Sequence, residues 1–485
     1  MRSWPNRSGK AGVDPGKRFR LKSQVAELGA SLRAVVGPND CFDDPERCAS
    51  YETDWTRRWH GTAALVVRPH TTSEVSEIVR LCAQHGFPIV PQGGNTGLVG
   101  GGVPRGGEVL LSTSNLNLEI SADFQARQLH AGAGVTLARG QAIAAAQGCT
   151  LGIDLASRDT ATLGGMAATN AGGVHVIRYG PMRSRLVGME AVLADGSVID
   201  RLAGLVKDNV GYDLAGLLTG SEGTLGIITK VVVRLDPVPP QKVAVMLALN
   251  PLPGLGGAVA SALRVLTDLR QSVEGVEAAE LLLPAGLALV YAHSGLPPLP
   301  GSDPASYLLV EVAGKESPLD RLAAAIQGHP LVQATSVAAD YRDRQRLWAY
   351  RDRQTEAIAT LGVVQKFDVS VPVGRLAEFW AALTCRVEQV TPRSRLIGFG
   401  HLSEGNLHVN IATSDTIEPA LGHAVVELVL AHGGSISAEH GVGVAKSEFL
   451  LAARGEADVT AMRAIKRALD PRGMMNPGVI FPIPV

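Results

Sequence analysis

Two short stretches concentrate the side chains that can do chemistry. Residues 400–410 read Gly-His-Leu-Ser-Glu-Gly-Asn-Leu-His-Val-Asn, and residues 437–443 read Ser-Ala-Glu-His-Gly-Val-Gly. Together they offer His401, His408, His440, the carboxylate of Glu439 and the amide of Asn410. His408 and Asn410 stand two apart in an alternating run, so a strand would turn both to one face. Ser403-Glu404-Gly405-Asn406 reads as a turn that folds His401 back beside His408. Adding Glu439 gives two imidazoles and one carboxylate, a set suited to catalytic zinc with an open coordination position. The same donors suit iron, and manganese is a further candidate, so the metal's identity stays open. The plain alternative is a pair of unrelated surface histidines and a strand end.

These side chains need strands and a helix to hold them. Residues 340–359 read as a helix dense in arginine: Arg342, Arg344, Arg346, Arg351 and Arg353. A solvated, salt-bridged face accounts for most of them. Arg351 and Thr355 differ, because a spacing of four puts them on one helical face. The strand expected over 363–371 holds Lys366 in apolar company, and an inward-facing lysine needs an anionic partner. Arg351, Thr355 and Lys366 together would bind a carboxylate, which guanidinium can pair bidentately. The proline cluster Asp236-Pro237-Val238-Pro239-Pro240 marks a domain boundary. Beyond it, strand-like 243–249 and 307–312 alternate with helix-like 256–271 and 319–327, which predicts an antiparallel sheet with helices on one face.

At 485 residues the chain exceeds one ordinary core, and two or three domains are expected. Hydrophobic residues at 46% and charged residues at 19% suit a globular protein, and the net charge of -1 gives no reason to expect nucleic acid as a partner. Five scattered cysteines without a C-x-x-C pair argue for a reducing compartment. No uncharged apolar run approaches a membrane span. Residues 1–20 are basic and Ser/Gly/Pro-containing, which predicts a disordered leader; no amphipathic pattern supports a transit peptide, so a cytoplasmic location is expected over a mitochondrial one. The predicted division is leader 1–20, cofactor domain 21–237, substrate domain 238–425 and a C-terminal helical segment 426–485.

The first half carries three glycine-dense turns. A strand over 63–67, a capped helix running through His85 and a strand over 87–91 lead into Gln92-Gly93-Gly94-Asn95-Thr96-Gly97-Leu98-Val99-Gly100-Gly101-Gly102. Consecutive glycines after a strand let backbone N–H groups converge on a pyrophosphate. The run is neither a Walker A loop nor G-x-G-x-x-G. The second turn spans 154–173 around Leu163-Gly164-Gly165, and the third spans 218–229 around Gly220-Ser221-Glu222-Gly223. Three such turns suit a long dinucleotide gripped along its length.

In this order and spacing the turns resemble those of the flavoprotein superfamily of vanillyl-alcohol oxidase and D-lactate dehydrogenase. The resemblance implies an α+β fold, with a two-part FAD-binding domain of the vanillyl-alcohol oxidase type beside the antiparallel-sheet substrate domain. It also implies FAD contacts from Gly93, Gly94, Asn95, Thr96, Gly97, Leu98, Thr160, Gly164, Gly165, Gly172, Glu222, Gly223 and Ile228. The C-terminal run 470–478 would return to the flavin domain, with Asn476 approaching the isoalloxazine ring. Relatives that bind flavin covalently often place histidine in the first turn, where Thr96 stands here, so FAD is expected to be non-covalent.

Within the superfamily the chain is most similar to the D-2-hydroxyglutarate dehydrogenase family, from about residue 25 onward. That likeness implies metal ligation by His401, His408 and Glu439, and substrate contacts from Arg351, Thr355, Lys366, Asn410 and His440. Ser403-Glu404 departs from the usual Gly-Asp and is expected to affect only loop shape; Thr162 stands where relatives vary. The implied reaction is oxidation of a D-2-hydroxy acid, 2-hydroxyglutarate first. The cation would acidify the hydroxyl, His440 would take its proton, and the Cα hydride would pass to flavin N5. A structural Glu439, His440 as ligand with Glu439 as base, a same-fold D-lactate or glycolate enzyme, and a zinc hydrolase or flavin-free metal-binding protein are the alternatives. An electron-transfer flavoprotein or a quinone would reoxidise the flavin, and a homodimer is left open.

Overall fold

The computed structural model describes residues 15–413 and 418–482, with side chains from residue 22. Residues 1–14 of the expected leader lie outside the described residues, and a helix, Pro15–Val36, starts within it. The chain forms two units. One holds residues 173–179 and 239–438; the other holds the remaining described segments, 15–172, 180–238 and 439–482.

The first unit is built on seven antiparallel strands: β1 Gln241–Leu249, β2 Val276–Leu282, β3 Ser306–Gly314, β4 Val332–Ala338, β5 Val364–Ser370, β6 Arg395–His401 and β7 Asn406–Ala412. Their order is β4-β1-β3-β2-β6-β7-β5, so β4 and β5 are the edges. Central β1 is a nearly unbroken apolar run because both of its faces are covered, and Val243 to Leu249 are all buried. Ala244, Met246 and Ala248 pack with Leu347, Trp348 and Tyr350 of the helix Tyr341–Asp352. On the opposite face Val245 lies near Leu322 of the helix Leu319–Ile326. Burying an aliphatic or aromatic side chain of this kind is worth roughly 1.5–3 kcal/mol, which makes these layers the rigid frame of the unit.

The second unit contains a four-stranded sheet, in the order Cys41–Phe42, Leu65–Val67, Val109–Ser112, Ile89–Gln92, whose last three strands are parallel. A five-stranded antiparallel sheet runs Ile120–Asp123, Gln128–Gly132, Ile227–Arg234, Leu186–Val192, Val198–Arg201. The helix Thr72–His85 shows why such segments form. Thr71 caps it by accepting from the Glu74 N–H, worth about 1 kcal/mol, and Gly86 ends it in the left-handed region. Its face of Val75, Ile78, Val79 and Cys82 joins a core with Leu65, Val67, Leu111 and Val231. The C-terminal segment closes onto this unit: Ile89 donates to Met474 O at 2.8 Å, and Asn476 N–H donates to Ile89 O at 2.8 Å. All five cysteines are free.

Candidate active site

Strands β6 and β7 bring His401 and His408 together. Between them Leu402–Glu404 form one 3-10 turn, closed by Gly405 at φ +68°. A Cβ there would lie 2.1 Å from Val371 O, so the turn requires glycine. The imidazoles meet edge to face, with ring centroids 5.3 Å apart. The register pairs Glu280 with His401, Phe399 with His408, His408 with Asp368, and Asn410 with Lys366. Directly paired and next-but-one residues share a face, so one face carries Glu280, His401, His408, Asn410, Asp368 and Lys366.

Each histidine has a carboxylate at Nδ1. Glu280 Oε1 lies 2.6 Å from His401 Nδ1, and Asp368 Oδ1 lies 3.6 Å from His408 Nδ1. The Glu280 bond at Nδ1 of His401 selects the tautomer whose lone pair sits on Nε2, the arrangement typical of imidazole bound to metal. Asp368 is itself held, accepting from Asn406 Nδ2 at 2.9 Å. Ala438 N–H donates to Asp368 O at 3.3 Å, so the chain leaves this unit along β5, with Glu439 one peptide bond further on. Two histidines and a carboxylate are donors that fit a divalent cation.

Glu280 has no exposed surface. Its Oε2 accepts from Arg351 Nε at 2.7 Å, and the Arg351 guanidinium lies 4.9 Å from the Phe399 ring centre. Burial alone would raise the Glu280 carboxyl, but the charges and hydrogen bonds of His401 and Arg351 outweigh it and hold the group far below the usual carboxylate range. The sequence reading missed Glu280. A carboxylate inside the apolar strand Val-Glu-Ala-Ala-Glu-Leu-Leu was the available signal.

Three expectations change. Lys366 is exposed although it shares its face with buried Asp368 two residues on, so its apolar strand does not enclose it. Arg351 and Thr355 do not share one helix: Tyr341–Asp352 ends and Gln354–Ala359 begins, with Arg353 as the junction, and Thr355 is exposed. Glu404, expected only to shape its loop, is half-buried within electrostatic reach of His401 and Glu280. Burial pushes its carboxyl up, the Ser403 hydroxyl and nearby His401 pull it down, and Glu280 pushes it up again.

In the other unit, residues 93–98 follow the strand Ile89–Gln92 and lie against the second glycine turn. A Cβ on Gly94 would sit 1.8 Å from Thr160 O, and one on Gly93 would sit 2.7 Å from Thr162 Oγ1. Thr162 caps the helix Leu163–Thr169, which contains Gly164 and Gly165, by accepting from the Gly165 N–H. Gly97 has open space where a side chain would stand. Asn95 adopts φ +53° and donates to Thr53 O at 2.8 Å. Ile228 is buried in the core. This is a cradle of backbone beside a helix N-terminus, a fit for a pyrophosphate.

Glu222, expected at the cofactor, makes a contact within the chain that the sequence did not show. Its carboxylate accepts from the N–H groups of Val442 and Gly443, both at 2.8 Å, and so holds the loop that follows His440. Burial pushes the Glu222 carboxyl up despite these bonds. Asn476 donates through Nδ2 to Gly101 O at 2.9 Å and to Glu222 O at 2.7 Å. Among the described residues its Oδ1 is buried without a partner, an acceptor suited to a ligand N–H, and Nε and Nη2 of Arg105 are buried donors likewise without one.

A second donor group, His175, Glu277 and Glu311, is already neutralised. Lys242 and Arg178 pair with Glu277 at 2.6 and 2.9 Å, and Trp348 Nε1 donates to Glu311 at 3.0 Å. Burial would raise Glu311, but His175, Lys242 and Trp348 bring it down to about 2.

Two family models match: "FAD binding domain" over residues 63–201 and "FAD linked oxidases, C-terminal domain" over residues 257–480. The mitochondrial D-2-hydroxyglutarate dehydrogenase of Bos taurus is 36% identical over 93% of this chain and 83% of its own. That of Rattus norvegicus is 36% identical over 96% of this chain and 87% of its own. Among solved structures, p-cresol methylhydroxylase with substrate bound superposes with a TM-score of 0.74 at 18% identity, covering 97% of this chain and 98% of that one, a likeness of fold. The mitochondrial names of these relatives overturn the expected cytoplasmic location and argue for a mitochondrial one. No helix among the described residues is long and apolar enough to cross a membrane.

Proposed function

The chain belongs to the D-2-hydroxyglutarate dehydrogenase family of FAD-linked oxidases and is an FAD-dependent oxidoreductase, and from that premise we propose the substrate and the roles of its residues. The substrate is a D-2-hydroxy dicarboxylate, D-2-hydroxyglutarate first, oxidised to the 2-oxo acid. His401, His408 and Glu439 hold a divalent cation, zinc before manganese or iron. Residues 93–98, Thr160, Gly164, Gly165, Gly172, Gly223, Ile228 and Asn476 hold non-covalent FAD. When bound, FAD supplies a hydride acceptor and the cation supplies Lewis acidity toward the substrate hydroxyl.

The chain's own residues then have separate tasks. Asn410 and the His401–His408–Glu439 set orient the C1 end of the substrate. His440 takes the hydroxyl proton, since imidazole is a base suited to neutral pH. Arg351, Thr355 and Lys366 receive the second carboxylate, with Arg351 offering its terminal nitrogens beyond the Nε bond to Glu280. An electron-transfer flavoprotein or a quinone takes the electrons onward.

The observation that carries this reading is the histidine pair, with Glu280 hydrogen-bonded to His401 Nδ1 and Asp368 3.6 Å from His408 Nδ1, on the face that also bears Asn410. A panel of D-2-hydroxyglutarate, D-malate and D-lactate, run with and without chelator and then with zinc restored, tests it. Loss on chelation, recovery with zinc and highest kcat/KM for D-2-hydroxyglutarate are expected. Undiminished activity after complete demetallation would remove the metal role, and a clear preference for lactate would remove the dicarboxylate. The exposure of Lys366 and Thr355 favours D-lactate or glycolate as the second reading.

A further inference from the structure

We infer that Glu280 is a positioning residue that ties the metal-ligating His401 to the substrate-binding Arg351 through a single buried carboxylate. The inference rests on the proposed metal and substrate sites, and it names a group that neither includes. Glu280 stands directly across from His401 on β2 and β6, so the sheet register fixes their approach. One oxygen lies 2.6 Å from His401 Nδ1 and the other accepts from Arg351 Nε at 2.7 Å. Both bonds run in a site without water access on the Glu280 side, since that residue has no exposed surface. Phe399 closes the group from the side. Its ring lies 4.9 Å from the Arg351 guanidinium carbon and 5.0 Å, centre to centre, from the His408 ring.

This geometry gives the carboxylate two consequences. At His401 it holds the proton on Nδ1 and turns Nε2 outward as the donor for metal. At Arg351 it fixes the guanidinium at Nε, which sets the direction of the two terminal nitrogens. Among the described residues the Arg351 side chain has no other hydrogen-bond or ion-pair partner. One negative charge shared between the two also couples them: whatever draws Arg351 away leaves more of that charge for His401, and the effect is reciprocal. A carboxylate present only for packing would have neither effect.

The test uses E280Q, which keeps the shape and removes the charge. Zinc binding to the full-length holoprotein is measured by equilibrium dialysis on wild type, H401A and E280Q, with flavin content read by absorbance and KM measured for D-2-hydroxyglutarate. Wild type should bind one zinc, H401A none, and E280Q one with affinity weakened about 10- to 100-fold. The KM of E280Q should rise while its flavin content stays at the wild-type level. Absence of zinc binding by wild type would overturn the proposed metal site and this inference with it. Normal wild-type binding with unchanged affinity and KM in E280Q would overturn the inference alone. Should E280Q fail to fold, R351M carries the test: freed of Arg351, the carboxylate should tighten zinc severalfold, and unchanged zinc affinity would break the proposed tie.

Discussion

The two units make their sites from different parts of the chain. In the unit of residues 15–172, 180–238 and 439–482, the proposed flavin site is made of backbone: Gly93 and Gly94 press against Thr160 and Thr162 so closely that no Cβ fits, and the Leu163–Thr169 helix presents its N-terminus. In the unit built on seven strands, the proposed ligand set is made of side chains, and each is braced by another: His401 by Glu280, His408 by Asp368, Asp368 by Asn406. A backbone cradle depends on the absence of side chains, whereas a ligand set depends on their charge and tautomer. The two therefore fail in different ways.

The sharpest separation is between H401A and G94A. H401A should lower turnover by at least about 1000-fold, since it removes a proposed ligand of the Lewis acid, yet leave flavin absorbance intact. G94A should purify without flavin, because its Cβ meets Thr160 O at 1.8 Å, and should still bind zinc. Loss of flavin in H401A would mean that the units do not fail separately.

Next in size is pH. Glu311 falls from its ordinary value of 4.5 to about 2 in the fold, so its ionised form adds stability above about pH 4.5 that is lost as pH drops toward 2. At about 1.4 kcal/mol per pKa unit this is on the order of 3 kcal/mol. Glu222 is shifted the other way, so its contribution is full below the ordinary carboxylate range and is lost as pH rises through its raised value. E311Q should flatten the acid limb of Tm against pH, while E222Q should flatten the limb above it. Equal slopes in both variants and wild type would show that the two carboxylates do not differ in this sense.

The smallest effect is expected at the exposed edge. K366A should raise KM for D-2-hydroxyglutarate by roughly tenfold and leave KM for D-lactate nearly unchanged, the size of one charged hydrogen bond near solvent. Equal changes for both substrates would take Lys366 out of the carboxylate site.

How much of this was legible in the sequence follows the same division. Glycine turns can be read because a backbone that must approach another chain closely, or adopt positive φ, leaves its mark as a residue type at that very position. The strand–turn–strand of 395–412 was legible for a similar reason, since alternation and Gly405 are local signals. Glu280 was not, because it lies 121 residues from His401 and only the sheet order β2-β6-β7 makes them neighbours. Lys366 was read as enclosed because alternation shows which face a residue takes and not how far that face is covered: Asp368, two residues on, is buried and Lys366 is exposed. Glu222 was assigned to the cofactor because a glycine turn suggests a ligand, while the Val442 and Gly443 N–H groups that occupy it come from 220 and 221 residues away.

By itself, then, the amino-acid order determined the kinds of groups available: the glycine turns, the two histidines of one hairpin, the Glu439-His440 pair, and the family they resemble. Only the tertiary structure decided which carboxylate braces which ring, where Arg351 is anchored, and that Lys366 faces water. The physical reason is range. Turn geometry and strand alternation are set by neighbours in sequence, whereas charge pairing and burial are set by whichever strands the fold lays side by side.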